Sequence, residues 1–385
     1  IWVAQKVMIS RNDLGKTKGY SSIARDITYI KNIDLENEKR NQKNKKYNES
    51  LKNFTAKSYS VNETLETKLK SILENTTKTI GANRVSYWEY LGDRIRCVQL
   101  YDLKNNEFSN GTVLTKEQYP NYFLSIESKT PLVASNVKNN PVTQELYSNY
   151  LENNNIYSVI KTPVFINGEI IGFVCIETTE DLKQWDNEDI NFSRAIADSI
   201  AIAFESKKRL EVEQKLTYKS DLLTAMNLCT ERFLNVKNID SVFSDVLIII
   251  GKATKSYRSF YYQNDNTNET ISQKYRWTEG NDILNKLNPT YQNLPYSFFG
   301  DFNPNQIENK VYHNVISKIE DLALRKKLEA LEVVSLVLFP VFVKNKFHGI
   351  LGFNDLNEDR IWADDEIRIL QTLTMNIGSS IERIE

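Results

Sequence analysis

The sequence predicts an α+β protein made of two similar halves, each an antiparallel sheet packed on helices, joined by a long helix. An internal repeat, two hairpins of matching pattern and one unbroken helical stretch predict this fold. A shift of 177 residues places 156–205 on 333–382 without a gap and aligns Pro163-Val164-Phe165 with Pro340-Val341-Phe342. Solenoid repeats are only roughly 20–50 residues long, so a repeat of this period indicates a duplicated domain.

Each copy of the repeat contains a strand, a tight turn, a second strand and a helix. In the first copy, 158–166 alternate as a strand does, Asn167-Gly168 is a strong hairpin signal, and 169–177 form an apolar returning strand. Asp186 or Asn187 can cap the following helix. In the second copy, Lys344-Asn345-Lys346 supplies the turn.

Residues 188–235 contain neither Pro nor Gly and predict one long helix. Ile202, Leu216 and Leu223 share a heptad register, which Arg209 interrupts and Thr230 does not continue. The helix could pair across a homodimer and carry a signal, or it could be an amphipathic helix that covers its own sheet. The Lys-, Asn- and Glu-rich stretch 29–54 predicts a solvated helix or a partly ordered connector.

Both copies resemble GAF domains. The resemblance is carried by "TPVFINGEIIGFVCIETTEDLKQWDNEDINFSRAIADSIAIAFE" and "FPVFVKNKFHGILGFNDLNEDRIWADDEIRILQTLTMNIGSSIER", and upstream by "TIGANRVSYWEY" and "KATKSYRSFYYQ". It covers roughly 55–205 and 225–385, which we take as two GAF domains in series, with 206–224 as a connecting signalling helix.

The beginning of the chain carries a second resemblance. "WVAQKVMISRNDLGKTKGYSSIARDITYIK" resembles the end of a PAS domain with its PAC segment, with a turn at 12–15 and a passage into an output helix at Asp26-Ile27-Thr28. We therefore assign 1–28 to a PAS/PAC remnant and 29–54 to a helical linker. Two strands cannot hold a core alone, so we expect the chain to be an excerpt of a longer protein.

Composition narrows the function classes. The formal net charge of −1 argues against nucleic acid as the main partner. No run of about 18 apolar residues predicts a membrane span, and we expect a cytoplasmic protein. The cysteines Cys97, Cys175 and Cys229 lack metal-ligand spacing, and Cys175 lies in a buried strand pattern.

No catalytic constellation is recognisable. The two histidines, His313 and His348, have no metal-spaced partners, and no P-loop or nucleophile elbow is present. Some GAF domains carry linear tetrapyrroles on a cysteine usually followed by histidine. This sequence has no Cys-His pair, so we expect no covalently attached bilin, no metal and no cofactor within the chain, although it could bind an unknown small molecule.

The resemblance implies a small-molecule pocket between the sheet and the variable segment of each copy, roughly 108–155 and 277–332. Aromatic walls with a few polar groups are typical of ligand sites, but the same aromatics could pack the domain's own core and lid. The candidate ligand-binding residues are Tyr119, Tyr122, Phe123, Ser135, Asn136, Tyr291, Tyr296 and Phe299.

These observations predict the sensory region of a bacterial signal-transduction protein. By resemblance the parent is a sensor histidine kinase of a two-component phosphorelay, with a diguanylate cyclase as the alternative output. The expected partners are a second copy, through helices, and an output domain in the same protein. A ligand-free dimerisation and spacer array is a second hypothesis, and an enzyme acting on a small metabolite is a third, for which the sequence offers no convincing polar catalytic pair.

Overall fold

The computed structural model describes residues 1–58, 63–234, 236, 238–265, 267–280, 289–299 and 310–384, with the backbone alone at 55–58 and 299. The chain divides into two compact units, Ile1–Glu211 and Val212–Glu385. Both have mixed α/β architecture with antiparallel sheets. Within the described ranges, no helix has the length and apolar character needed to cross a membrane.

The first unit begins with a two-stranded antiparallel ribbon, β1 (Val3–Arg11) and β2 (Thr17–Asp26). The predicted turn is present between them. Gly15 has a φ of 76°, in the left-handed region that glycine enters at little cost, and the Asn12 side chain accepts the amide hydrogen of Lys16.

Helix α1 (Thr28–Ser58) follows the ribbon directly. The Asp26 carboxylate accepts the Thr28 amide hydrogen at 2.8 Å, which satisfies one of the free N–H groups at the start of the helix. The sequence indicated a solvated or partly ordered connector here. Most of the helix is indeed exposed, but Tyr47 and Phe54 are buried in the core of the first unit, so α1 also contributes to that core.

The first unit then forms a seven-stranded antiparallel sheet beside α2 (Leu65–Ile80). The strand order is β5-β4-β3-β9-β8-β7, and β6 pairs with β4. The strands are β3 (Arg84–Tyr90), β4 (Arg94–Asp102), β5 (Glu107–Ser109), β6 (Val113–Thr115), β7 (Leu132–Ala134), β8 (Ser158–Ile166) and β9 (Glu169–Thr178). Two short helices, α3 (Pro120–Glu127) and α4 (Gln144–Leu146), lie in the long connection from β6 to β8.

Apolar side chains cover both faces of this sheet. One core contains residues of α1, α2 and the helix that follows β9; the other contains α3, α4 and the segment around them. The predicted hairpin between β8 and β9 is confirmed, because Asn167 and Gly168 have φ values of 53° and 81°. Because side chains alternate along a strand, the charged residues on one face of β3, β8 and β9 enter the second core.

Helix α5 (Asn187–Leu234) confirms the predicted long helix. The Asp186 carboxylate accepts the Asp189 amide hydrogen at its start, as the sequence predicted for a capping residue. The division between the two units falls inside α5, between Glu211 and Val212.

The second unit contains the end of α5, helix α6 (Asp240–Thr254) and a six-stranded antiparallel sheet of order β12-β11-β10-β15-β14-β13. Its central strands follow the same order as the central strands of the first sheet. The elements are β10 (Arg258–Asp265), β11 (Thr270–Thr278), β12 (Leu294–Pro295), β13 (Tyr312–Val315), α7 (Leu322–Ala330), β14 (Ser335–Val343), β15 (Lys346–Asp355) and α8 (Asp364–Ile384).

Candidate functional site

The first unit contains a cavity between its sheet and the segment that carries α3 and α4. Its volume is about 20 Å³, which is room for about one water molecule. The lining is largely apolar, with Trp88, Tyr122 and Tyr150 as its aromatic side chains and Lys161 and Glu177 as its charged ones.

Lys161 is a charged residue in an otherwise apolar stretch of β8. Its Nζ donates to the Tyr122 hydroxyl oxygen at 2.8 Å and lies 4.1 Å and 4.2 Å from the ring centroids of Tyr122 and Phe173. Burial lowers the pKa of Lys161 to about 7, because a buried ammonium loses its hydration. Lys161 therefore changes its charge near neutral pH.

Glu177 and Arg84 form a buried ion pair on the same face of the sheet. They are directly opposite in the β3–β9 register, and Arg84 Nε lies 3.4 Å from Glu177 Oε2. Arg84 Nη1 also donates to the Asn154 side-chain oxygen at 3.2 Å. Burial raises the pKa of Glu177, and the opposing positive charge of Arg84 lowers it only in part.

The cysteines do not form a reactive site. Cys97, Cys175 and Cys229 are free and buried. Burial raises the pKa of the Cys97 thiol to about 12 and that of Cys175 further, so neither is a thiolate at neutral pH. In the part of the chain that the structure describes, no group of three His, Cys, Asp or Glu side chains could hold a metal ion.

The second unit has a cavity of about 30 Å³ on the corresponding face of its sheet. Arg258 of β10 and Arg276 of β11 both line it, together with Gln273 and Asn354. Burial, and then the charge of Arg276, lower the pKa of Arg258 from its usual value. Apolar and aromatic side chains form the rest of the wall: Phe260, Tyr262, Tyr291, Phe298, Leu328, Leu331, Val333 and Leu336.

The candidate residues predicted in the first copy occupy different environments. Tyr122 lines the cavity, and Tyr119 and Phe123 are buried in the same core. Ser135 and Asn136 make hydrogen bonds within the protein: Ser135 Oγ accepts from the Trp185 amide at 3.3 Å, and Asn136 Oδ1 accepts from the Lys138 amide at 3.1 Å. The structure thus brings the three aromatics together, and ligand binding at all five residues stays a prediction.

In the second copy, Tyr291 lines the cavity. The Tyr296 hydroxyl donates to the Asn264 side-chain oxygen at 2.6 Å, and its ring packs edge-on against Phe347. The side chain of Phe299 lies outside the described part of the chain.

Sequence reasoning missed the charged and amide residues of both cavities. Arg84, Lys161 and Glu177 in the first unit, and Arg258 and Arg276 in the second, lie on strands rather than in the variable segments. A usable signal was present at Lys161 and Glu177, each of which follows an apolar run within its strand: a charged residue there needs a buried partner or a ligand.

Comparison with known proteins identifies part of the fold. Residues 64–204 match the GAF domain family, so the first unit contains a GAF domain. The chain also shares 28% identity over 184 residues with the methanogenesis regulatory histidine kinase FilI of Methanothrix harundinacea. That match covers 45% of this chain and 20% of the relative, so the chain spans about a fifth of the relative's length. The match is consistent with sensory or regulatory signalling in a general sense.

Solved GAF domains are also similar to this chain. The phycocyanobilin-bound GAF domain of a cyanobacterial phytochrome has 15% identity and a TM-score of 0.37, covering 42% of this chain and 93% of its own. The GAF domain of a Coxiella burnetii phosphoenolpyruvate-protein phosphotransferase has 14% identity and a TM-score of 0.35, covering 44% and 98%.

Proposed function

We propose that this chain is the sensory and regulatory region of a cytoplasmic signal-transduction protein whose output module is a histidine kinase. The GAF match within a chain that shares 28% identity with a regulatory histidine kinase carries the proposal. Residues 225–385, within the second unit, are then a second GAF domain, and 1–28 is the end of a PAS/PAC domain that leads into the helix. The shared order of the central strands in the two sheets supports the tandem arrangement.

The same hydrogen bond recurs in both units and gives a physical route for the signal. In the first unit, the Tyr47 hydroxyl on the leading helix α1 donates to Asp189 at the start of the trailing helix α5, at 2.6 Å. In the second unit, the Tyr218 hydroxyl on α5 donates to Glu366 at the start of α8, at 2.5 Å. A change in either sheet that displaces the trailing helix therefore acts on the leading helix through a charged hydrogen bond.

Exposed apolar residues along α5 support dimerisation through this helix. Leu216 and Leu223 are 61% and 44% exposed. Arg209 belongs to the same heptad register as these leucines, and Val212, three positions after it, is 48% exposed. A parallel copy of the helix would cover these side chains as a coiled coil does. Nucleic acid and membrane are not partners in this proposal.

A chimera tests the proposed function. This chain replaces the matching segment of the FilI kinase, and autophosphorylation of the chimera is compared with that of its Tyr218→Phe and Leu216→Lys variants. We expect both substitutions to change the phosphorylation rate, because one removes the link between helices and the other weakens dimer pairing. Tyr20→Phe, on an exposed residue of the ribbon, is the matched control. A rate that is identical in all four proteins contradicts the proposal.

A second candidate is the ligand-free dimerisation and spacer array. The first cavity favours it, because 20 Å³ is room for a water molecule and not for a metabolite. Mass spectrometry of the supernatant after denaturing the purified chain distinguishes the two functions: a stoichiometric small molecule supports sensing. A diguanylate cyclase as the output module is the remaining alternative, and the reading frame after Glu385 decides between it and a kinase.

A further inference from the structure

Two arginines line the cavity of the second unit. Among the described residues no carboxylate forms a salt bridge with either of them, although the charge of Glu332 acts on Arg258. Arg258 Nε and Arg276 Nε are both buried and have no hydrogen-bond partner there. One further contact of Arg258 is a long hydrogen bond from Nη1 to the Leu331 carbonyl oxygen, at 3.4 Å. Both side chains are half-buried, and their guanidinium groups lie over the rings of Tyr257 and Tyr291 respectively. Their buried Nε–H groups nevertheless lack an acceptor, and an unsatisfied buried donor costs free energy.

The sheet register brings the two guanidinium groups onto one face. Phe260 is opposite Arg276, and Arg258 is two residues from Phe260 on the same strand. Arg258 and Arg276 are therefore diagonal neighbours on adjacent strands, a relation in which long side chains reach each other across about 7–8 Å. Their like charges repel, and an anion placed between them would relieve this repulsion.

In the first unit, the arginine at the corresponding position faces a carboxylate. Glu177 is opposite Arg84 in the first sheet, and Asn354 is opposite Arg258 at the matching place in the second. Leu100 of the first unit corresponds in register to Arg276 of the second, since they are opposite Ser86 and Phe260 respectively. Compared with the first unit, the second therefore has an amide in place of the carboxylate and one more guanidinium on the same face.

We propose that the second unit binds a small carboxylate with an apolar body, held by Arg258 and Arg276 in this cavity. Guanidinium groups recognise carboxylates with two parallel hydrogen bonds, and Gln273 and Asn354 add amide donors beside them. The volume of about 30 Å³ suits the carboxylate group. The body of the ligand then contacts the apolar wall, where half-buried Tyr291 and Phe298 make room by moving outward.

The apolar wall favours a carboxylate over a phosphate. A dianionic phosphate is more strongly hydrated, so its transfer to a site walled by Phe260, Leu328 and Leu336 costs more. The carboxylate site depends on the proposed sensory function in one respect only: if the chain is a sensor, the bound carboxylate is its signal. Binding itself is measured on the chain alone and is independent of any kinase output.

Ligand-dependent stabilisation tests the proposal. The melting temperature of the full chain is followed as benzoate, butyrate, inorganic phosphate or the neutral benzamide is added at constant ionic strength. A ligand that binds the folded state alone raises the melting temperature as the site fills. We expect saturable shifts with benzoate and butyrate and none with benzamide.

Two substitutions locate the site. Arg276→Leu introduces the residue type found at the matching place in the first unit, and Asn354→Glu supplies the carboxylate that pairs with arginine there. We expect each to weaken benzoate binding at least tenfold, whereas Arg368→Leu, on an exposed arginine of α8, leaves it unchanged. Circular dichroism of each variant establishes that it is folded.

Contrary results of the binding measurements overturn the proposal. If neither carboxylate gives a saturable shift, or if folded Arg276→Leu and Asn354→Glu both bind benzoate as the unmodified chain does, the arginine pair is not a carboxylate site. If phosphate binds more tightly than benzoate and butyrate, the ligand class is wrong. Kinase output that fails to respond in the chimera, with benzoate binding intact, counts against the signalling function alone.

Discussion

The central strands of the two sheets have the same order, but the charged side chains on one face of each sheet have different neighbours. In the first unit, Arg84 faces the carboxylate of Glu177, and the remaining space is large enough for about one water molecule. In the second, Arg258 and Arg276 share a slightly larger cavity with amides. The same order of central strands therefore accommodates an arginine opposite a carboxylate in one unit and two arginines beside amides in the other, and the difference lies in a few side chains.

This difference teaches that two sheets with the same central strand order need not have the same site between sheet and covering segment. Both units keep the backbone features that a sheet needs in order to form. The residues that line the cavities can differ between the two units, because a substitution there affects only its immediate surroundings. The following predictions separate the shared requirements from the divergent ones.

The largest expected effect is at the buried ion pair of the first unit. Glu177→Asn reproduces the residue of the second unit and leaves the Arg84 charge buried without its partner. Loss of one member of a buried pair costs about 3–5 kcal/mol, so we expect a destabilisation of that size. Urea denaturation measures it, and hydrogen exchange resolved by peptide assigns it to the first unit.

The reciprocal substitution is the control for this prediction. Asn354→Glu places a carboxylate opposite Arg258, and we expect the second unit to become more stable or to stay unchanged. Two results would contradict this prediction: a free energy of unfolding that Glu177→Asn leaves unchanged, or a loss of stability from Asn354→Glu as large as that from Glu177→Asn. Either result would mean that the charges on the cavity faces of the two sheets are not balanced differently.

The second prediction concerns one glycine in each sheet, and we expect its replacement to destabilise the two units equally. A Cβ atom on Gly172 would lie 2.2 Å from the Trp88 carbonyl oxygen, and one on Gly349 would lie 2.3 Å from that of Tyr262. Because the obstacle is backbone, it cannot rotate away, and overpacking of this kind costs about 1–3 kcal/mol or more.

Gly172→Ala and Gly349→Ala should therefore each lower the urea midpoint of their own unit by a similar amount. Gly19→Ala is the control, since nothing lies within 4 Å of its added Cβ. A large effect at one glycine and none at the other would show that the close approach is not a shared feature of the two sheets.

The shared features could be predicted from the sequence because they depend on local patterns. Alternation, the Asn167-Gly168 turn and the 177-residue repeat predicted the hairpins, and the absence of Pro and Gly from 188–235 predicted α5. These patterns reflect the conformation that the backbone adopts, and they can be recognised from one sequence alone.

The cavities could be predicted only in part. Aromatic residues of the variable segments were identified, and Tyr122 and Tyr291 do line the two cavities. The strand residues that determine cavity charge were missed, since whether Arg84 meets Glu177 depends on register between strands that are distant in sequence. The role of Tyr47 was also missed, because the polar composition of 29–54 concealed one buried tyrosine.

Lys161 should make the stability of the first unit depend on pH. Its pKa is lowered to about 7 in the folded state from an ordinary value of 10.5, with burial as the main cause. Between these values the unfolded chain binds more protons than the folded one, so stability rises with pH by up to about 1.4 kcal/mol per pH unit. Below pH 7 the lysine is charged in both states, and the penalty is at its full size.

Comparison with Lys161→Met isolates this contribution, because the neighbouring Tyr122, Cys175, Glu177 and Arg84 are retained in both proteins. We expect the variant to be more stable than the unmodified chain at pH 7 and the gap to narrow steadily towards pH 9 in urea denaturation. A gap that does not change with pH would mean that Lys161 is not a buried ammonium.

The smallest effect concerns the helix contact that both units share. Tyr47→Phe and Tyr218→Phe each remove one hydrogen bond to a carboxylate, and bonds of this type contribute about 1.5–3 kcal/mol. Tyr218→Phe also removes the bond that Arg360 Nη2 donates to the hydroxyl oxygen at 2.8 Å. We expect values at the low end of this range, because Asp189 keeps Lys43 at 2.9 Å and Glu366 keeps Arg360 at 3.0 Å. Urea denaturation with Tyr20→Phe as the exposed control measures the loss. Equal losses would establish that the two copies couple their helices alike while their cavities differ; a loss in one unit alone would place the coupling in that unit.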